Sequence, residues 1–326
     1  MTIGIFFGLI SGLLFQFTQR DHQLGVKLKT RRHNNNSVSN HNNATILCWV
    51  PIAANGTEPL VALIRQTWGR HCDLLLLTSE VADVERNIIK LNIVFRTPQD
   101  LWNIVHPAWQ YVYETYVDQY DWFVKVDSDS YFQADNFRHF VRNLDHNVFH
   151  YLGHQAYFKG PGNEFNLGAG YAISRQALKQ LGPALPLTPD AQKKKCSSWK
   201  SWAEDLKFAE CLRIAGMSNV TNSRDPWERE RFMAWYPTDN FVAVRRSNST
   251  GWFWKRKPKD VKSGIGCCSS RPVLFHQLKY GHICAGVHCQ ATILALEYML
   301  VQVVVDPKSL SNLQDDEPLY PRPIHP

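Results

Sequence analysis

Strand-length apolar runs alternating with helix-periodic stretches restrict the fold of this chain more than any other feature. Ile46-Leu47-Cys48-Trp49-Val50 is apolar throughout and ends at Pro51, and comparable runs recur at Leu74–Leu77, Leu91–Phe95 and Trp122–Val126. Between them lie a helical pattern from about Glu58 to Trp68 and a clearer one in which Leu101, Val105, Trp109, Val112 and Tyr116 repeat at helical spacing. The second helix carries its own start signals, with Thr97 to cap it, Pro98 at the first helical position and Asp100 three residues after the cap. This alternation predicts an α/β fold, a mostly parallel central sheet flanked by helices. Such sheets bind ligands beyond the carboxyl ends of their strands, so a site is expected just after Val126. The second half is less regular, with a strand near Gly168–Ser174, a helix near Trp202–Ala215, a strand at Val273–Leu278 and a helix near Ala291–Val304.

The flanks read differently. Ile3 to Phe17 is an apolar run shorter than the ~20 residues that span a bilayer comfortably, with no small-x-small cleavage site after it. Residues 1–18 are therefore expected to be an uncleaved signal anchor. Arg20, Lys27, Lys29, Arg31 and Arg32 follow the run, which by the positive-inside rule opposes a lumenal carboxyl-terminal side; the sequons and cysteines below outweigh it. Residues 19–43, rich in Asn and His, read as a disordered stem, 44–305 as a single folded domain, and the proline-rich 306–326 as a disordered tail.

With 326 residues, 44% of them hydrophobic, the chain can bury a large core. Its eight cysteines form no CxxC pairs of the zinc-site kind, which favours disulfides. Asn-x-Ser/Thr sequons at Asn35, Asn43, Asn55, Asn219 and Asn248 agree with an oxidising, lumenal compartment. The net charge of +7 is spread along the chain, and the runs Lys193–Lys195 and Lys255–Lys257 read first as solvated surface. No nucleic-acid-reading module accompanies them, so nucleic acid is not an expected partner.

Chemistry concentrates after the fourth apolar run. Asp127-Ser128-Asp129 follows Val126 directly, and in extended chain the two carboxylates point to one side, where they could share a hard divalent cation. An Asp-x-Asp alone is equally well a solvated turn; its place at a strand end raises it above that reading. Glu204-Asp205 reads first as an acidic pair favoured by a helix start, and His276 as a structural histidine at a strand end.

A wider pattern changes those odds. Ile46–Val50, Arg65-Gln66-Thr67-Trp68-Gly69, Trp122–Tyr131, Gly168-Ala169-Gly170-Tyr171, Glu204-Asp205-Leu206, Ser223-Arg224-Asp225, Gly266-Cys267-Cys268-Ser269 and Phe275-His276 resemble, in order, segments of the core 1 β1,3-galactosyltransferases (T-synthases) within the wider β1,3-glycosyltransferase group. The resemblance implies a GT-A fold, a Golgi-lumenal type II membrane protein, Mn²⁺ (Mg²⁺ second) on Asp127, Asp129 and His276, and Asp205 as catalytic base. It implies UDP-galactose as donor, facing Arg65, Trp68, Lys125 and Ser128. Glycoproteins bearing GalNAc would be acceptors, facing Gly168, Ala169, Gly170, Tyr171, Glu204 and Trp252. It also implies the bridges Cys48–Cys72 and Cys196–Cys211, leaving three connectivities for Cys267, Cys268, Cys284 and Cys289.

Three departures stand out. Ser128 stands where the family usually has a third Asp, with both ligand positions intact. Asn103 stands where it commonly has Lys, and Asn248–Lys259 is rich in basic residues and carries a sequon where the family is rich in Tyr and Trp, which bears on the acceptor. A related β1,3-transferase with another donor or acceptor therefore stays open, as do a catalytically inactive T-synthase-like chaperone and a carbohydrate-binding module. The last two have no reason to keep Asp127, Asp129 and Asp205 together. A homodimer is compatible with every one of these readings.

Overall fold

The computed structural model describes residues 44–52, 58–85, 87–91, 101–158, 164–168, 170–185, 196, 203–217, 220–234, 262 and 266–277. All of them belong to one compact unit, His41–Pro326. The expected anchor, stem and tail, the helix at 291–304, Ala169, Trp252, Cys284, Cys289, both lysine runs and all five sequon asparagines lie outside the described residues. Among the described residues no helix is long and apolar enough to cross a membrane.

The central sheet has six strands in the order β3-β2-β1-β4-β9-β6, where β1 is Ile46–Pro51, β2 Leu74–Ser79, β3 Ile88–Lys90, β4 Trp122–Val126, β6 Tyr151–Leu152 and β9 Gly170–Ser174. The pairs β3/β2, β2/β1 and β1/β4 are parallel, whereas β9 runs antiparallel to both β4 and β6. Five of the six strands thus share one direction, and the expected mostly parallel α/β sheet is what forms. The third expected strand is displaced toward the amino terminus: β3 ends at Lys90, and 92–95 are not described.

Alternation along the strands feeds two cores. Leu47 and Trp49 of β1 and Phe123 of β4 pack on one face with α2 (Leu101–Tyr116), α4 (Arg175–Leu181) and α5 (Glu204–Ile214). Ile46, Cys48, Val50, Trp122, Val124 and Val126 pack on the other with α1 (Glu58–Gln66) and α3 (Ala134–Val141). This double burial is why β1 and β4 carry apolar residues at nearly every position. Trp109 of α2 centres the first core, 5.3 Å edge-on from Trp49 and 5.1 Å from Phe208 of α5. Cys48–Cys72 ties β1 to the segment before β2, and Cys196–Cys211 anchors α5. Both bridges are those the family resemblance implies. Cys267 and Cys268 are bonded to each other.

Two smaller sheets complete the carboxyl side. β7 (Gln155–Tyr157) and β8 (Glu164–Asn166) pair antiparallel. The sheet β10-β11-β5 joins Phe232–Met233, Leu274–Phe275 and Tyr131–Phe132. Its strands are two residues each; β11 lies inside the strand expected at Val273–Leu278, whereas β5 and β10 are too short for periodicity to announce them.

Candidate functional site

Asp127 to Ser130 is a turn between β4 and β5, closed by the Ser130 N–H donating to the Asp127 carbonyl at 3.0 Å. The two carboxylates are therefore brought together by a turn, not by the extended geometry expected from spacing alone. Antiparallel pairing sets Phe275 opposite Tyr131, so the next residue, His276, is delivered beside that turn. Its Nε2 lies 3.4 Å from Asp129 Oδ1 and 3.8 Å from Asp127 Oδ2. The candidate ligand atoms of Asp127, Asp129 and His276 all lie within 4.8 Å of one another. Among the described residues this is the one such group of three or more acidic, His or Cys side chains.

The donor set suits a divalent cation. Two carboxylates and one imidazole are the ligands that first-row divalent ions accept. His276 Nδ1 is 2.8 Å from the Ala234 carbonyl. That bond takes the Nδ1 proton and leaves Nε2 facing the carboxylates, the outer-shell arrangement typical of metal-bound histidines. Burial would lower the His276 pKa, but Asp129 and Asp127 outweigh it and raise it. Burial would raise that of Asp127, but the charges of Lys125 and His276 pull it below the usual range.

Asp205, 9% exposed, sits in the first turn of α5. Its Oδ2 accepts from the Gly168 N–H at 3.0 Å and its Oδ1 from the Leu206 N–H at 2.8 Å. Burial raises its pKa against those two hydrogen bonds. Gly168 stands between Asp205 and the triad: a Cβ there would lie 3.5 Å from His276 Cε1, and its φ of +51° is one that favours glycine. Gly170 is more constrained, because a Cβ would meet the Lys125 carbonyl oxygen at 2.4 Å.

The remaining expected site residues divide by depth. Ser128 lies half-buried in the turn between the two aspartates, and Arg65 is half-buried in the last turn of α1. Trp68 is a core residue, its ring edge-on to Phe132 at 6.2 Å. Lys125, Tyr171 and Glu204 are all buried beneath the site and bonded to one another. Sequence reasoning missed the Ala234 carbonyl, for which no side-chain pattern exists, and the mutual bonding of those three. A signal for the latter was present: a lysine in the middle of an otherwise apolar strand must find a partner.

No family profile matches the chain. It is 26% identical over 253 residues to glycoprotein-N-acetylgalactosamine 3-beta-galactosyltransferase 1 of Xenopus laevis, which covers 74% of this chain and 66% of that protein. It is 30% identical over 84 residues to chondroitin sulfate synthase 3 of Homo sapiens and of Mus musculus, 23% of this chain and 10% of each synthase. The chain thus spans just under two thirds of the first relative and a tenth of the others. The longer match carries the resemblance across most of the folded part, and with it the chain is a relative of the core 1 β1,3-galactosyltransferases, the T-synthase-like branch of the β1,3-glycosyltransferases.

Proposed function

We propose that the protein is an inverting β1,3-galactosyltransferase of GT-A fold that moves galactose from UDP-galactose to the 3-hydroxyl of GalNAc linked to Ser or Thr. The observation that carries this reading is the meeting of Asp127, Asp129 and His276 at the carboxyl end of β4, with ligand atoms within 4.8 Å of one another. The match to the Xenopus 3-beta-galactosyltransferase supports the donor and acceptor class. The disulfides and sequons support a Golgi-lumenal location behind an amino-terminal anchor.

Asp127, Asp129 and His276 would hold Mn²⁺, which when bound neutralises charge on the diphosphate of the leaving UDP. Asp205 does the work at the other end. Its carboxylate takes the proton of the acceptor hydroxyl as that oxygen bonds to the anomeric carbon, and the bond from that carbon to the UDP oxygen breaks on the opposite face. An α-linked donor thereby becomes a β-linked product. The Gly168 and Leu206 N–H groups hold the carboxylate in place. Gly168 supplies its N–H from a backbone with φ +51°, which favours glycine, beside His276.

A related transferase with another donor or acceptor is the second reading, supported by the match to chondroitin sulfate synthase 3 and by Ser128 and Asn103. One experiment separates the two. The purified protein is given UDP-galactose and a GalNAc-Thr glycopeptide with Mn²⁺ or with EDTA, and the product linkage is read by NMR. A β1,3-linked galactose formed only with Mn²⁺ is the expected result. Mn²⁺-dependent UDP binding without transfer selects the second reading.

A further inference from the structure

Lys125 is the fourth of the five β4 residues, which alternate between the two cores, and only 1% of it is exposed. An ammonium in such a place costs several kcal/mol unless paired. It is paired twice, with Asp127 Oδ1 at 2.6 Å and with Glu204 Oε1 at 2.5 Å. Glu204, 4% exposed, uses its other oxygen to accept from the Tyr171 hydroxyl at 3.2 Å, and that hydroxyl accepts from Trp109 Nε1 at 3.2 Å. One continuous relay thus runs from α2 through β9 and α5 to β4 and ends on an aspartate of the triad.

Resting on the metal reading above, we infer that Lys125 and Glu204 are positioning residues that touch neither donor nor acceptor and fix which oxygen of Asp127 faces the metal site. Lys125 holds Oδ1, which leaves Oδ2 as the oxygen turned toward His276. Glu204 shares the charge of Lys125, so that the ammonium orients Asp127 without capturing it. The division of labour between neighbours follows: Asp205 points to Gly168 as base, and Glu204 points to Lys125 as counter-ion. The first turn of α5 therefore sets both halves of the site, and the Cys196–Cys211 bridge ties that helix in place.

The test is Mn²⁺ affinity of the full chain without substrates, read from the electron paramagnetic resonance of free Mn²⁺, beside steady-state kinetics. In Glu204→Gln the ammonium is left to Asp127 alone and competes with the metal, so Mn²⁺ should bind about tenfold more weakly, with acceptor KM unchanged. Removing the ammonium too, in Lys125→Met/Glu204→Gln, removes the competitor and should recover part of the lost affinity, stopping short of the parent because Asp127 Oδ1 is no longer held, a rescue that mere structural damage would not give. Tyr171→Phe keeps the ring and deletes both hydrogen bonds of the hydroxyl, the one to Glu204 and the one from Trp109; it should weaken Mn²⁺ binding about threefold and decides the question if Glu204→Gln does not fold. Parental Mn²⁺ affinity in Glu204→Gln, or in Tyr171→Phe should that variant decide, overturns the inference, and a raised acceptor KM would place Glu204 on the acceptor. A parent protein that binds no Mn²⁺ overturns the metal reading itself, which the parent titration alone reveals.

Discussion

The sheet from β1 to β4 and the segments carrying Asp205, Ser223–Ala234 and Cys267–His276 are built on different principles. In the first, ladders of backbone hydrogen bonds and two apolar faces fix every residue, and function needs only the edge where β4 stops. In the second, long connections are held by polar side chains. Asp225, 2% exposed, accepts from the Trp227 and Arg229 N–H groups and from the Arg229 guanidinium, and Ser269 Oγ accepts from the Arg271 N–H. A sheet can be stable without being functional, whereas these connections have few reasons to be where they are except to deliver Asp205 and His276. Substitutions should therefore separate the regions: those in the sheet act on stability, those in the connections on turnover.

The sharpest separation is expected at Asp205. Asp205→Asn keeps the shape and an acceptor for the Gly168 N–H but cannot take a proton, so turnover should fall about 10²–10⁴-fold with UDP binding largely intact. Melting temperature should hardly move. In the parent, burial raises the Asp205 pKa, so the acid limb of kcat should lie above the ordinary aspartate range, activity being lost as pH falls and the base protonates. A parallel loss of melting temperature and turnover would make Asp205 structural and erase the distinction between the regions.

Trp109→Ala tests the other side. The indole is fully buried among Trp49, Tyr171 and Phe208, and its removal should cost about 3–5 kcal/mol of stability by denaturant unfolding. A cost below about 1 kcal/mol would mean that the first core is not what holds the sheet to α2 and α5.

The same contrast explains what could be read from the chain beforehand. β1, β2, β4 and α2 were legible because burial on both faces, or on one helical stripe, writes itself into residue order. The Asp-x-Asp was legible as a strand-end pair, though its turn geometry was not. β11 was legible as part of the apolar run at Val273–Leu278, but β5 and β10 have no readable period at two residues each, and the register of the three, which delivers His276, depends on partners far away in sequence. Glu204 and Asp205 do start a helix, as local reasoning held, but their burial and separate bonding are tertiary facts. For the same reason Lys125 and Trp68, expected against the donor by family resemblance, are found in the interior.

Cys196–Cys211 lies on the boundary between the regions. It closes a separation of 15 residues, for which loop-closure entropy corresponds to about 3 kcal/mol. Replacing both cysteines by alanine should cost about that much stability and, because the bridge anchors α5, should also lower kcat; thermal melts and kinetics on one preparation measure both. A stability loss with unchanged kcat would show that α5 is placed by Phe208, Ala209 and Leu212 packing alone.

The smallest effect is a pH dependence in the sheet region. His106 on α2 is 2% exposed, with Nε2 buried and without a hydrogen bond, and burial lowers its pKa from 6.5 to about 4 against a bond to the Leu185 backbone. Above pH 6.5 both folded and unfolded states hold it neutral, and it contributes no pH dependence. Between 6.5 and 4 the unfolded chain takes up a proton that the folded one refuses, so stability falls as the pH falls. The loss levels off below 4 at roughly 3 kcal/mol. His106→Leu removes the proton acceptor and keeps the site apolar, so the parent-minus-variant difference in unfolding free energy should grow between pH 6.5 and 4 and be flat above it. A flat difference throughout would mean that the imidazole reaches water or a proton acceptor on acidification, and that the first core is looser around α2 than its packing implies.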